Sequence, residues 1–124
     1  MKKAIESSRA PKPIGPYSQA VVASGLIFLS GLIPLRSDGN MEKGDIGSQF
    51  DTIVANASAI LEEAGSSLDK VAKVTVFMSD LSEFGEMNEA YSRAFRHPYP
   101  ARTTVQVAAL PKGAHLEVDM IAQL

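Results

Sequence analysis

With 124 residues, 45% of them hydrophobic and 21% charged, the chain is large enough for one buried core and too small for two. That composition belongs to a folded globule and excludes a disordered tail, and a net charge of -2 with a pI near 5.6 opposes a nucleic-acid binder working through a basic face. The absence of cysteine excludes disulfides, thiolate metal sites and a cysteine nucleophile.

The opening MKKAIESS carries positive charge with no apolar stretch behind it, so it does not read as a secretory signal. No run approaches the roughly 18 apolar residues of a membrane span, and the expectation is a soluble cytoplasmic protein formed as a single domain over residues 1–124. Residues 9–19 (RAPKPIGPYSQ) hold three prolines and a glycine and predict an extended, partly rigid loop. From 20 to 35 the text is apolar and β-rich, broken at Ser24-Gly25, which predicts a two-stranded hairpin whose second strand ends near Ser30-Gly31. A polar stretch with two glycines follows, from Arg36 to Gly44.

Ile46, Phe50, Ile53, Val54, Ala57, Ile60, Leu61 and Ala64 recur at helical spacing and predict a first helix. Asp45 or Ser48 is positioned to cap its start and Gly65 to stop it. Val71 to Met78 reads as a β-branched strand. A second helix is expected next, opened by a capping box from Asp80 to Glu83, with a stripe of Phe84, Asn88, Tyr91 and Phe95, and stopping by His97 because Pro98 follows. Two last strands, about Thr103 to Ala108 and Leu116 to Ala122, are joined by the turn-rich LPKGAH. The order is ββαβαββ, an α+β fold with two helices covering one face of a mixed sheet of about six strands. On the other face, the alternation of Arg102, Thr104 and Gln106, and of Glu117, Asp119 and Ile121, predicts a surface buried by further copies of the chain.

Arg102 stands at a strand start behind Pro100-Ala101, where it would be held rigidly, and a guanidinium takes a carboxylate through two parallel hydrogen bonds. A structural ion pair is the competing reading. Glu117 lies in a strand with apolar neighbours, where a carboxylate can hold and polarise a water; pairing with Arg102 or plain solvent exposure is the competing reading. A hairpin of the last two strands would set the two side chains about four residues apart, roughly 13 Å at strand rise. They could not grip one small molecule within one chain, so a site joining Arg102 of one subunit to Glu117 of its neighbour is expected. Asn88 interrupts the helical stripe and either lines a pocket or satisfies a structural role. Tyr17 sits in the GPYSQ loop, either closing over a ligand or packed on the hairpin. His97 and His115 read as surface residues, and no metal cluster, phosphate loop or Ser-His-Asp set is visible.

The segments IGPYSQA (14–20), SGLIPL (30–35), VTVFMSDLSEFGEMNEAY (74–91) and YPARTTVQVAALPKGAHLEVDMIA (99–122) resemble the RidA/YjgF family, also called the L-PSP endoribonuclease or reactive intermediate deaminase family. The resemblance runs in order over nearly the whole chain. It implies a chorismate-mutase-like fold assembled as a homotrimer with three clefts between subunits. It also implies Arg102 as the anchor of the substrate carboxylate, Glu117 as the holder of the catalytic water and Tyr17 as the ligand-closing residue. Ser30 and Gly31 would offer backbone groups, and Asn88 a pocket amide. Many members carry a cysteine where this chain has Thr104, whose implied role is a backbone N–H given to the substrate carboxylate. The implied activity is cofactor-free hydrolysis of enamine and imine intermediates, such as 2-aminoacrylate, to 2-keto acids and ammonia. A ribonuclease or translation inhibitor, and a non-catalytic carboxylate-binding or chaperone-like module, remain the alternatives.

Overall fold

A computed structural model describes all 124 residues. Its strands are β1 (Lys3–Ile5), β2 (Ala20–Ala23), β3 (Leu26–Leu32), β4 (Val71–Met78), β5 (Ala101–Gln106) and β6 (Leu116–Gln123), and its helices are α1 (Ile46–Glu63) and α2 (Phe84–Ala94). They form one six-stranded sheet in the order β1-β2-β3-β6-β4-β5, antiparallel except for the β4–β5 pair. The first strand is an addition to the expected order: Lys3–Ile5 is too short to show a period, and it forms by pairing along β2.

Local chemistry explains most boundaries. Ser24 and Gly25 both take positive φ, 53° and 76°, which is the two-residue turn whose twist matches a hairpin, and β2 pairs with β3 across it. Asp45 caps α1 by accepting the Ser48 N–H at 2.8 Å. At the other end Gly65 adopts φ 84°, the Gly65 N–H reaches the Glu62 carbonyl and the Ser66 N–H reaches that of Leu61, a Schellman closure. Asp80 accepts the Ser82 N–H, but it caps a 3-10 turn at Leu81–Glu83; α2 begins only at Phe84, and Glu83 makes no reciprocal capping bond, so the expected capping box does not form.

The core lies between the helices and one sheet face. Phe50, Ile53, Ile60 and Leu61 of α1 and Met87 and Ala90 of α2 are fully buried against Ile27, Val74, Val76, Met78, Leu116 and Val118. The buried side of α2 is therefore Met87, Ala90 and Tyr91, rotated from the expected stripe. Phe84 is exposed and Asn88 half-buried, flanking that side near the sheet edge.

The expected pairing of the last two strands is overturned. β6 inserts between β3 and β4, while β5 pairs in parallel with β4 on the outside of the sheet. Parallel neighbours need a long crossover, and α2 supplies it. Burial agrees with the order. Leu116, Val118, Met120 and Ala122 of β6 are all buried, as suits a central strand, whereas Ala101–Gln106 has no buried residue, as suits an edge.

Candidate functional site

Side-chain direction divides the candidates between the two faces of the sheet. Glu117 and Asp119 alternate with the buried Leu116, Val118 and Met120, so they point away from the helices; Glu117 lies opposite Phe77. Arg102 and Thr104 lie opposite Val74 and Val76, whose fully buried side chains face the helices. The expectation that Arg102, Thr104 and Gln106 share the uncovered face is therefore corrected: Ala101, Thr103 and Val105 occupy it, and Arg102 turns toward α2. Two strand spacings and a three-residue offset separate Arg102 from Glu117, about 14 Å at ordinary sheet dimensions. Being on opposite faces as well, they do not converge within one chain.

The first half-site is built on the loop before β2, on β3 and on β6. Between Leu29, opposite Met120, and Leu32, opposite Val118, the register slips, so Ser30 and Gly31 together face Asp119. This bulge turns Gly31 against Glu117: a Cβ on Gly31 would overlap the Glu117 carboxylate, so any side chain there would displace it. Ser30 is anchored from both ends, its Oγ donating to the Ser18 carbonyl at 2.6 Å and its N–H to that of Gln19 at 3.0 Å. Gln19 is itself buried, accepting the Ser7 N–H at 2.7 Å and donating to the Ser7 and Pro11 carbonyls, so the loop carrying Tyr17 is tied down at its base. Tyr17 remains 54% exposed, and its hydroxyl accepts the Ile14 N–H at 3.4 Å. Tyr17, Ser30 and Gly31 share a cleft of about 340 Å³ with Ile14 and two cations at its rim, Lys12 and Lys112.

Burial raises the pKa of the Glu117 carboxyl above the usual carboxylate range, and the neighbouring charge of Asp119 raises it further. A proton acceptor of raised basicity thus stands against Gly31, in the space that a side chain at that position would take.

The second half-site lies at the other edge, between α2 and β5. A recess of about 430 Å³ is lined by Asn88, Tyr91, Ser92, Tyr99 and Arg102. The Arg102 guanidinium carbon lies 4.6 Å from the Tyr91 ring centre and 5.5 Å from that of Phe84. Burial raises the Tyr91 phenol above its ordinary pKa, with the Arg102 charge acting against it. The Tyr91 hydroxyl and the Thr104 Oγ1 are both buried without a hydrogen-bond partner. Phe84, which adjoins Arg102, and Tyr91 and Tyr99, which line its recess, are not among the candidates that the sequence pattern singles out. The signal for two of them lay in the stripe Phe84-Asn88-Tyr91, whose polar interruption marks a helix face that borders a recess and not the core.

His97 stacks on Tyr99 with ring centres 4.5 Å apart, and the His115 ring meets the Ser79 hydroxyl at 3.0 Å. Both histidines are exposed, as expected. No group of three or more His, Cys, Asp or Glu side chains is placed to hold a metal ion, and no helix is long and apolar enough to cross a membrane.

A family model described as Endoribonuclease L-PSP matches residues 7–124. A RutC family protein of Pyrococcus abyssi is 48% identical over 122 residues, covering 98% of this chain and 96% of that one. The human 2-iminobutanoate/2-iminopropanoate deaminase is 37% identical over 123 residues, covering 98% and 90% respectively. Among solved structures, E. coli TdcF with bound serine superposes with a TM-score of 0.91 at 39% identity, covering 98% of each chain.

Proposed function

Given that the chain belongs to the endoribonuclease L-PSP family, which includes the Rid proteins, we propose that it hydrolyses 2-imino acids to 2-keto acids and ammonia in clefts shared between subunits of a homotrimer. The observation that carries this reading is the division of the site. The base-bearing half and the carboxylate-binding half lie about 14 Å apart on opposite sheet faces, each open and each incomplete. A neighbouring copy that brings its α2–β5 edge against the uncovered face supplies what the first half lacks. That face also carries Phe28 and Val105, 42% and 37% exposed, which suits burial by another copy.

In the proposed reaction the imine carboxylate docks on Arg102, with the Thr104 N–H as a further donor. Two parallel hydrogen bonds to the guanidinium fix the plane of the substrate. Glu117 of the adjoining subunit accepts a proton from a water and aims it at the imine carbon, while the Gly31 carbonyl receives the hydrogen bond of the imine nitrogen. The tetrahedral adduct then expels ammonia. Glu117 returns the first proton to the nitrogen and relays the second from the new hydroxyl as the C–N bond breaks and the C=O bond forms, so both hydrogens of the water leave on ammonia and no cofactor is required. Enamines such as 2-aminoacrylate enter this sequence after tautomerising to the imine. Tyr17, tethered at its base and exposed at its tip, closes over the ligand, and Asn88 lines the opposing wall. Imines hydrolyse unaided, so orientation and one held water account for the acceleration required.

The test generates 2-aminoacrylate in situ from serine with a dehydratase and times the release of pyruvate or ammonia with and without the protein. Acceleration that disappears in Arg102→Ala supports both the activity and its anchor. Equal rates with and without the wild-type protein would sink the deaminase reading. Salt-sensitive cleavage of RNA by metal-free protein would then favour the ribonuclease that the family description names, against the chain's negative net charge.

A further inference from the structure

The arginines of this chain are held in two different ways. Arg9, Arg36, Arg93 and Arg96 each face a carboxylate, those of Glu62, Glu42, Asp51 and Asp69, at 2.8 to 3.8 Å. Arg102 has no carboxylate within ion-pair distance. Its guanidinium lies over the faces of Tyr91 and Phe84, at 4.6 and 5.5 Å from the ring centres, within the range of a cation–π contact. We propose that Phe84 and Tyr91 are positioning residues that orient Arg102 through their ring faces while leaving its positive charge unneutralised for an incoming carboxylate.

The chemistry favours this device over an ion pair at this position. A carboxylate would orient the guanidinium equally well, but it would occupy the hydrogen-bond fork that the ligand needs and cancel the charge that attracts it. A ring face holds the plane of the guanidinium and leaves its edge donors free. The ring that matters most is itself fixed. Tyr91 is 6% exposed and packs against Phe50 and Phe95, with ring centres 5.8 and 4.6 Å away. Phe84 sits at the first residue of α2, 37% exposed, with its ring centre 5.5 Å from the guanidinium carbon. The Tyr91 hydroxyl has no partner, so the working part of this side chain is its ring. The inference rests on reading Arg102 as the carboxylate anchor, and its test separates the two.

A guanidinium that binds a carboxylate alike in ground and transition states acts on KM more than on kcat. Phe84→Leu removes one ring at an exposed position where folding is not at stake. It is expected to raise KM for 2-aminoacrylate about 5–30-fold with kcat changed less than about threefold, the span of one to two kcal/mol for a partly desolvated cation–π contact. Tyr91→Leu should do the same, and Tyr91→Phe, which keeps the ring, should restore KM to within about threefold of wild type. In parallel, the Arg102 Nε–H resonance of the wild-type protein should be shifted upfield by the two rings and should move toward a free-arginine position in Phe84→Leu. An unmoved resonance together with an unchanged KM in Phe84→Leu overturns the clamp, as does a Tyr91→Phe protein as impaired as Tyr91→Leu. A protein that hydrolyses no imine yet shows the ring-shifted resonance keeps the clamp and overturns the deaminase reading instead.

Discussion

The two half-sites use opposite means to hold a charged group ready. On the β3–β6 side a carboxylate is pressed against backbone: Gly31 leaves it just enough room, and burial with Asp119 alongside raises its proton affinity. On the α2–β5 side a guanidinium lies on aromatic faces at the rim of a recess, with its charge uncompensated. One half makes a base more basic by crowding it; the other keeps a cation available by giving it no anion. Within one chain the two groups lie on opposite faces of the sheet, where they cannot neutralise each other as an internal ion pair, and on the proposed reading each half is completed by a neighbouring copy.

The sharpest way to break this comparison is to remove the base. Glu117→Gln keeps the shape beside Gly31 and deletes the proton acceptor, so turnover of 2-aminoacrylate should fall about 10²–10⁴-fold while pyruvate still binds by calorimetry. If binding disappears together with turnover, Glu117 is an anchor and the division of labour is wrong. Removing the cation should cost less. Arg102→Ala forfeits about 1.5–3 kcal/mol of charge-assisted hydrogen bonding, roughly 10–150-fold in kcat/KM. Co-refolding equal amounts of Arg102→Ala and Glu117→Gln chains tests whether the halves belong to different subunits. Activity should recover to about a quarter of wild type, the share of clefts pairing two intact halves; no recovery would mean that each chain needs both groups of its own.

Proton affinity sharpens the comparison further. The acid limb of kcat/KM should follow the raised pKa of Glu117. Asp119→Asn removes a like charge and should move the limb to lower pH. Stability carries the same sign information. The folded state keeps the Glu117 proton at pH values where the unfolded chain has lost it, so this group's contribution falls as pH rises through that window. Glu117→Gln should therefore melt higher than wild type above the window and no higher well below it, as paired thermal scans would show. The smallest effect belongs to the rim. Lys12 and Lys112 line the mouth of the Tyr17 cleft without an ion pair, and replacing both with Met should lower kcat/KM for an anionic imine about two- to fivefold and flatten its dependence on salt.

Much of this was legible in the residues. The stripe from Ile46 to Leu61, the turn at Ser24-Gly25 and the stop at Gly65 all follow from local periodicity and backbone preference, and each stands where that chemistry puts it. So does the separation of Arg102 from Glu117, although the hairpin argument that predicted it does not hold. Adjacent strands joined by a short turn read naturally as a hairpin, and only the competition for central places in the sheet decides otherwise. Leu116, Val118, Met120 and Ala122 form a fully apolar row that demands neighbours on both sides, whereas Arg102, Thr103, Thr104 and Gln106 tolerate an edge. That competition is a tertiary effect with no local signature. The same holds for Phe84 and Tyr91: helical spacing puts them on one face, but only the parallel placement of β5 beneath α2 turns that face into a seat for Arg102.

The uncovered sheet face has a last consequence, for dose. If each cleft needs an edge from a second copy, the number of working sites follows mass action and not merely the amount of folded chain. On serial dilution, specific activity should hold steady and then collapse over a narrow range, with the circular dichroism of the folded chain retained. Subsaturating 2-keto acid, by bridging Arg102 of one copy to the Gly31 pocket of the next, should push that threshold to lower concentration. The protein would then owe part of its assembly to the small carboxylates its clefts accept, below the level at which they fill and block them.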